Sequence, residues 1–181
     1  LLYRGEAAHV TVPATIEGLP VKTVGDNAFH GKQTLQSVTI EQGMKARFPE
    51  GTLTFTRGCD AYTHIDGGVE AAVRAARAAD VAVLTLGLPG NHSGETSSMT
   101  SVELPQAQKE LLSAVKAIGK PVVVLLVTGR PMALESVDHL MDALLVVWHP
   151  GTAGGDALAD LLSGDYSPSG HLTMSFPRCD G

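Results

Sequence analysis

Three short apolar runs, Val81 to Leu86, Val122 to Val127 and Ala143 to Val147, constrain the fold of this 181-residue chain more than any other feature. Runs of that length and character fit strands buried on both faces of a sheet, the usual situation in parallel sheets. Helical patterns lie between and beside them. An alanine-rich stretch runs from Gly67 to Ala78, and a second starts at Pro105, where proline suits a first helical turn. Its apolar stripe is Leu111, Leu112, Val115 and Ile118, and Gly119 ends it. A third helix follows Gly155 and passes through Leu162, with further strands near Leu53 to Phe55 and Leu172 to Phe176. Alternation of this kind predicts an α/β fold, a three-layer αβα sandwich with a mainly parallel sheet, over residues 38–181.

The first 37 residues read differently. Short β-like runs, His9 to Val12 and Val21 to Val24, are separated by Pro13, a turn at Glu17-Gly18-Leu19-Pro20 and the trio Gly25-Asp26-Asn27. Val10-Thr11-Val12 recurs as Val38-Thr39-Ile40, and the stretch between resembles the leucine-rich repeats of bacterial surface proteins, with Phe29 as the packed aromatic. The resemblance implies a partial, β-rich repeat-like segment over 1–37, about one unit where a solenoid needs about three. Residues 38–40 have two readings, the last strand of that unit or the entrance to a short helix from Ile40 to Phe48. The helix reading rests on capping-box spacing of Thr39 and Gln42 and on the Met44 and Phe48 pair, and the two readings stay open.

Composition excludes several functions. Nineteen acidic against thirteen basic residues, a net charge of −6 and no basic run argue against nucleic acid or an anionic membrane as partner. No apolar stretch reaches the roughly 20 residues that span a bilayer. Cys59 and Cys179 stand 120 positions apart and the seven histidines are scattered, so neither a disulfide framework, a metal site nor another cofactor is expected. Aromatic residues make up only 4%, few for a module that grips polysaccharide on an exposed platform.

Ligands in open α/β sheets bind beyond the carboxyl ends of the parallel strands. That rule points to the loops carrying Glu95, Arg130, and Trp148 with His149. The first runs from Gly87 to Glu103, far longer than the two to six residues common in such connections, and loops of that length are usually functional. Glu95 follows Gly94 and precedes hydroxyl residues that can hydrogen-bond its carboxyl group; the alternative is a solvated loop glutamate. The GNHSG stretch has its serine one place late for a nucleophile elbow. Pro150 to Gly155 lacks the lysine of a phosphate loop and the spacing of a dinucleotide fingerprint, which leaves packing of loop on sheet as its purpose. Arg130 reads either as a clamp on a carboxylate or carbonyls at the loop edge or as a structural residue, and Trp148 either as core or as a sugar platform.

Several motifs occur in order: KARFPEGTLTFTRGCD, AARAADVAVLTLGL, HSGETSS, LPQAQKELLSAVKAIGKPVVVLLVTGRPMAL and VVWHPGTAGGDALADLLSGDYSPSGHLTMSFPR. Together they resemble the C-terminal α/β sandwich domain of glycoside hydrolase family 3, the β-glucosidase and β-xylosidase family. The resemblance implies a retaining hydrolase acting on β-linked oligosaccharides or glycosides, with an aspartate nucleophile on a (β/α)8 barrel domain. It nominates Glu95, in the SGE motif, as general acid/base, and His92 and Ser93 beside it as substrate contacts. Two departures stand out. Relatives commonly carry an arginine shortly after that glutamate, where this chain has Met99, and 181 residues leave no room for the barrel. The expectation is therefore a fragment of a β-glycosidase, inactive by itself; a non-catalytic surface scaffold or carbohydrate-interaction module is the rival reading.

Overall fold

The computed structural model describes residues 15–16, 19–20, 43–48, 53–93, 97–151 and 153–180. The chain divides into two compact units, Phe48–His149 with Ser167–Gly181, and Leu1–Arg47 with Pro150–Tyr166.

In the smaller unit, strands β1 (Thr15–Ile16) and β2 (Leu19–Pro20) pair antiparallel, Ile16 opposite Leu19. The turn expected at 17–20 thus contracts, since Leu19 and Pro20 belong to the ladder. The other β-like runs of the repeat reading lie outside the described residues. Residues 43–47 are helical, within the expected short helix. Glycines in the third helix serve close packing. A Cβ on Gly43 would stand 2.2 Å from the carbonyl carbon of Gly155, and one on Gly154 would meet Pro150 at 2.6 Å. Arg47 forms ion pairs with Asp160 and Asp165.

The larger unit holds three parallel strands in the order β3–β4–β5: β3 (Ala82–Gly87), β4 (Val122–Val127) and β5 (Ala143–Val146). Two helices, α1 (Gly68–Ala78) and α2 (Gln106–Lys116), pack in the same hydrophobic core. Their sequences explain the choice of face. Val69, Ala72 and Ala76 recur at helical spacing on α1, as do Leu111, Leu112 and Val115 on α2, and these meet Leu84, Leu86, Val122, Val124 and Leu126. Glu70, Arg74 and Arg77 stay exposed. Beyond α2 the chain reverses at Gly119, whose φ of +79° is the left-handed conformation that glycine adopts without strain. The α/β class with a parallel sheet is therefore as the sequence predicts. The third helix, α3 (Gly154–Ser163), belongs to the smaller unit.

Three details differ from the sequence reading. Buried and exposed residues alternate along β3, with Val83 42% exposed, because successive side chains point to opposite faces and Ala82, Leu84 and Leu86 are the ones packed in the core. Residues 53–58 form no strand, and neither do 171–180, where Leu172 and Met174 are half exposed. An apolar alternation becomes a strand only where a neighbour offers a ladder, and these segments have none among the described residues.

Candidate functional site

The carboxyl ends of β3, β4 and β5 carry the three loops singled out by the sheet rule. At the first, the chain leaves β3 through Gly87, which is fixed from two sides. Its N–H donates to Oε1 of Gln108 at 2.7 Å, and its carbonyl accepts from Nε2 of the same side chain at 2.8 Å. Gln108 also donates to the carbonyl of Ala61 at 2.7 Å. It is only 3% exposed, so this amide on α2 acts as a buried stand-in for a neighbouring strand. Leu88 N–H then donates to the Val127 carbonyl at 2.8 Å, carrying the pairing one residue beyond β3. Replacing Gln108 by leucine would leave the Gly87 N–H and carbonyl unpaired in the interior, each costing about 1–3 kcal/mol. Urea denaturation is expected to show a loss of about 2–4 kcal/mol by the same reasoning, with an unchanged m-value.

From Gly87 the loop passes Pro89 and makes a 3-10 turn, Gly90–His92. His92 packs its ring against Tyr62, centroids 4.9 Å apart. Burial raises the Tyr62 phenol above its usual pKa, while the positive charge of Arg130 pulls the other way. Ser93 accepts a hydrogen bond from the Gly129 N–H at 3.2 Å. Glu95, with its neighbours Gly94 and Thr96, lies outside the described residues. The chain is described again from Ser97, and Met99 packs against the hydrophobic core. At this point the loop is anchored by apolar contact.

The turn after β4 reaches back to that loop. One nitrogen of Arg130, Nη2, donates to the carbonyl of His92 at 2.7 Å and to that of Ser97 at 3.2 Å. Among the described residues, Arg130 clamps loop carbonyls. Thr128 shapes the turn, its hydroxyl donating to the Arg130 carbonyl at 2.8 Å and accepting the Arg130 N–H at 3.2 Å. Gly129 is wedged between Ser93 and His149. A Cβ there would stand 2.4 Å from that of Ser93 and 3.0 Å from Nε2 of His149.

Beyond β5, Trp148 has a φ of +54°, an outlier for a bulky residue, and its carbonyl accepts the Thr128 N–H at 3.3 Å. Its ring meets Phe176 edge-on at 5.9 Å, so it is half-buried packing at the end of the sheet. Desolvation pushes the His149 imidazole below its ordinary pKa of 6.5, although the residue as a whole counts among the exposed ones. The sign follows by linkage. The unfolded chain takes up a proton near pH 6.5 and the folded one only below it, so His149 favours folding above pH 6.5 and that contribution is lost as pH falls. Thermal melts from pH 7.5 to 5 are expected to show a fall in Tm that is shallower in His149→Gln. Equal slopes would contradict it.

The sequence brings forward His92, Ser93 and Arg130, and the structure brings them together with Gly129 and His149 at one sheet edge. It misses Gln108 and Tyr62, whose partners lie 21 or more positions away and leave no local signal. Chemically, the arrangement is a long loop held at both shoulders at the ligand-binding edge of a parallel sheet.

Comparison with known proteins agrees with that geometry. The family model described as the glycosyl hydrolase family 3 C-terminal domain matches residues 5–181. The match takes in most of the first 37 residues, and the leucine-rich-repeat reading is not borne out. A periplasmic β-glucosidase from Salmonella typhimurium is 49% identical over 113 residues, 62% of this chain and 15% of the relative. A β-xylosidase from Formosa agariphila is 35% identical over 142 residues, 78% of this chain and 20% of the relative. Among solved structures, a β-glucosidase from Listeria innocua in complex with isofagomine superposes with a TM-score of 0.72 at 37% identity, covering 78% of this chain and 19% of that one. The chain thus spans about a fifth or less of the length of these relatives.

Proposed function

Because the chain belongs to glycoside hydrolase family 3, as its C-terminal domain, we propose that it supplies the general acid/base of a retaining β-glycosidase, with Glu95 in that role. The substrates are β-linked gluco- or xylo-configured glycosides, and the nucleophile comes from a (β/α)8 barrel domain that these 181 residues do not supply. The observation that supports this reading is the pair of loop shoulders, His92 and Ser97, both held by Arg130 beyond the carboxyl ends of a parallel sheet, with Glu95 between them in the sequence.

The chemistry calls for such a placement. A retaining mechanism needs two carboxyl groups about 5–5.5 Å apart on opposite sides of the scissile bond. A loop on one domain can lean over a pocket in another and bring its carboxyl group to that distance. The nucleophile's negative charge then holds the second group protonated, because two neighbouring carboxylates resist ionising together. The glutamic acid donates its proton to the leaving oxygen. As glutamate it next takes a proton from the water that releases the sugar.

By itself the chain is expected to be inactive. The decisive experiment puts the matched segment in place of its counterpart in the Listeria innocua β-glucosidase and follows hydrolysis of aryl β-glucosides with and without Glu95. Retained activity in a well-folded Glu95→Ala chimera would sink the proposal. His92 and Ser93, at the near shoulder, are proposed to contact the sugar beside it.

A further inference from the structure

Arg130 does more in this structure than fill space at the sheet edge. A single amino group, Nη2, bonds the carbonyls of His92 and Ser97, which lie on either side of residues 93–96. Because both oxygens share one nitrogen, the His92 and Ser97 carbonyls are held close together. The two hydrogens of an arginine amino group are coplanar and diverge at a fixed angle, so the two bonds set the spacing of those carbonyls. The guanidinium is itself held. Its backbone is locked by the reciprocal bonds with Thr128, and its neighbour Gly129 is pressed against Ser93. Its Nε is buried with no hydrogen-bond partner among the described residues.

We infer that Arg130 is the positioning residue of the loop that carries Glu95, its bridge between the His92 and Ser97 carbonyls fixing the two points between which the sequence places that residue. The inference rests, for its catalytic meaning, on Glu95 being the acid/base; the bridge itself stands apart from that reading. Arginine suits the task better than lysine. The lysine ammonium ends about one atom short and rotates freely, so it keeps the charge without the span.

The test has two arms. In the first, the 181-residue chain is compared by hydrogen exchange with Arg130→Lys and Arg130→Met. Amides of residues 93–99 are expected to exchange at least tenfold faster in both variants, most in Arg130→Met, with peptides from β4 and α1 unchanged. Unchanged exchange over 93–99 in both variants overturns the bridge, whatever Glu95 does. In the second arm, the Listeria chimera carrying Arg130→Lys is expected to lose at least tenfold in kcat with little change in KM. The alkaline limb of its pH profile is expected to move to lower pH, because a carboxyl group no longer held against the nucleophile returns toward its ordinary pKa. A uniform fall in rate without movement of that limb would show a merely structural residue and overturn the positioning role. If the first arm succeeds while Glu95→Ala leaves the chimera's activity intact, the acid/base assignment fails and the bridge survives.

Discussion

Glu95→Ala in the Listeria chimera is expected to lower kcat/KM about 10³-fold, or about 4 kcal/mol of transition-state stabilisation, on a β-glucoside with a poor leaving group. The size of the loss should depend on the leaving group, and this dependence is what identifies the role. An alkoxide cannot depart without a proton, whereas a dinitrophenolate can, so the dinitrophenyl glucoside should form the glycosyl-enzyme almost as fast as before. Its turnover then stalls at the second step, for want of a base to activate water. Azide needs no such base. Added azide is therefore expected to restore turnover of the activated substrate and to yield a β-glycosyl azide, with retention of configuration. The alkaline limb of the pH profile, which reports loss of the acidic proton, should disappear in the same variant. A loss equal for both leaving groups, with no response to azide, would instead mark Glu95 as a structural or sugar-binding residue. A non-catalytic carbohydrate-interaction module predicts a third pattern, in which sugar binding persists and no substrate turns over in the unsubstituted chimera.

The elements that could be read from sequence are those whose signal is local. Val122 to Val127 becomes a strand with the expected bounds, because six consecutive apolar residues, five of them buried, leave no other way to satisfy backbone and side chains together. The stripe of Leu111, Leu112 and Val115 on α2 is likewise fixed by its own spacing, with Pro105 before it and Gly119 after it. Elements that depend on a distant neighbour were not legible. Leu172, Met174 and Phe176 alternate as a strand would, yet only a ladder partner makes a strand, and Phe176 spends its apolar surface on Trp148 instead. At β3 the apolar run could not reveal that the face bearing Val83 would be left exposed, since that depends on what packs over the sheet and not on the strand's own composition. The candidate site divides in the same way. The loop's length and its glutamate are visible as sequence. The bridge from Arg130 to His92 and the amide of Gln108 against Gly87 join residues 38 and 21 positions apart, so only the folded chain displays them.

Gly87→Ala should be among the most destabilising single substitutions in the larger unit, costing about 3–5 kcal/mol. Two penalties combine at this position. The backbone has a φ of +133°, where a residue with a Cβ is strained by about 1–3 kcal/mol. A Cβ there would also stand 1.9 Å from the Val127 carbonyl oxygen and 2.7 Å from its carbon. Both are main-chain atoms of β4, which cannot rotate aside, so relief comes only by prising the strands apart, an overpacking cost of about 1–3 kcal/mol. Moving β3 would further stretch the bond from Leu88 to Val127 and misalign Gly87 with Gln108. Gly119→Ala supplies the control. Its φ is also positive, at +79°, but nothing lies within 4 Å of the added carbon, so only the backbone penalty of about 1 kcal/mol remains. Denaturant titration of the two variants separates contact from strain. A domain stabilised by about 5–15 kcal/mol should survive Gly119→Ala easily and lose a large fraction of its stability in Gly87→Ala. Equal effects would mean that the approach of Gly87 to Val127 carries no weight. Because Gly87 is also where the loop toward Glu95 leaves the sheet, the same substitution is expected to raise hydrogen exchange across 88–93 well before the helix α1 is affected. The origin of that loop is thus set by the absence of a single side chain.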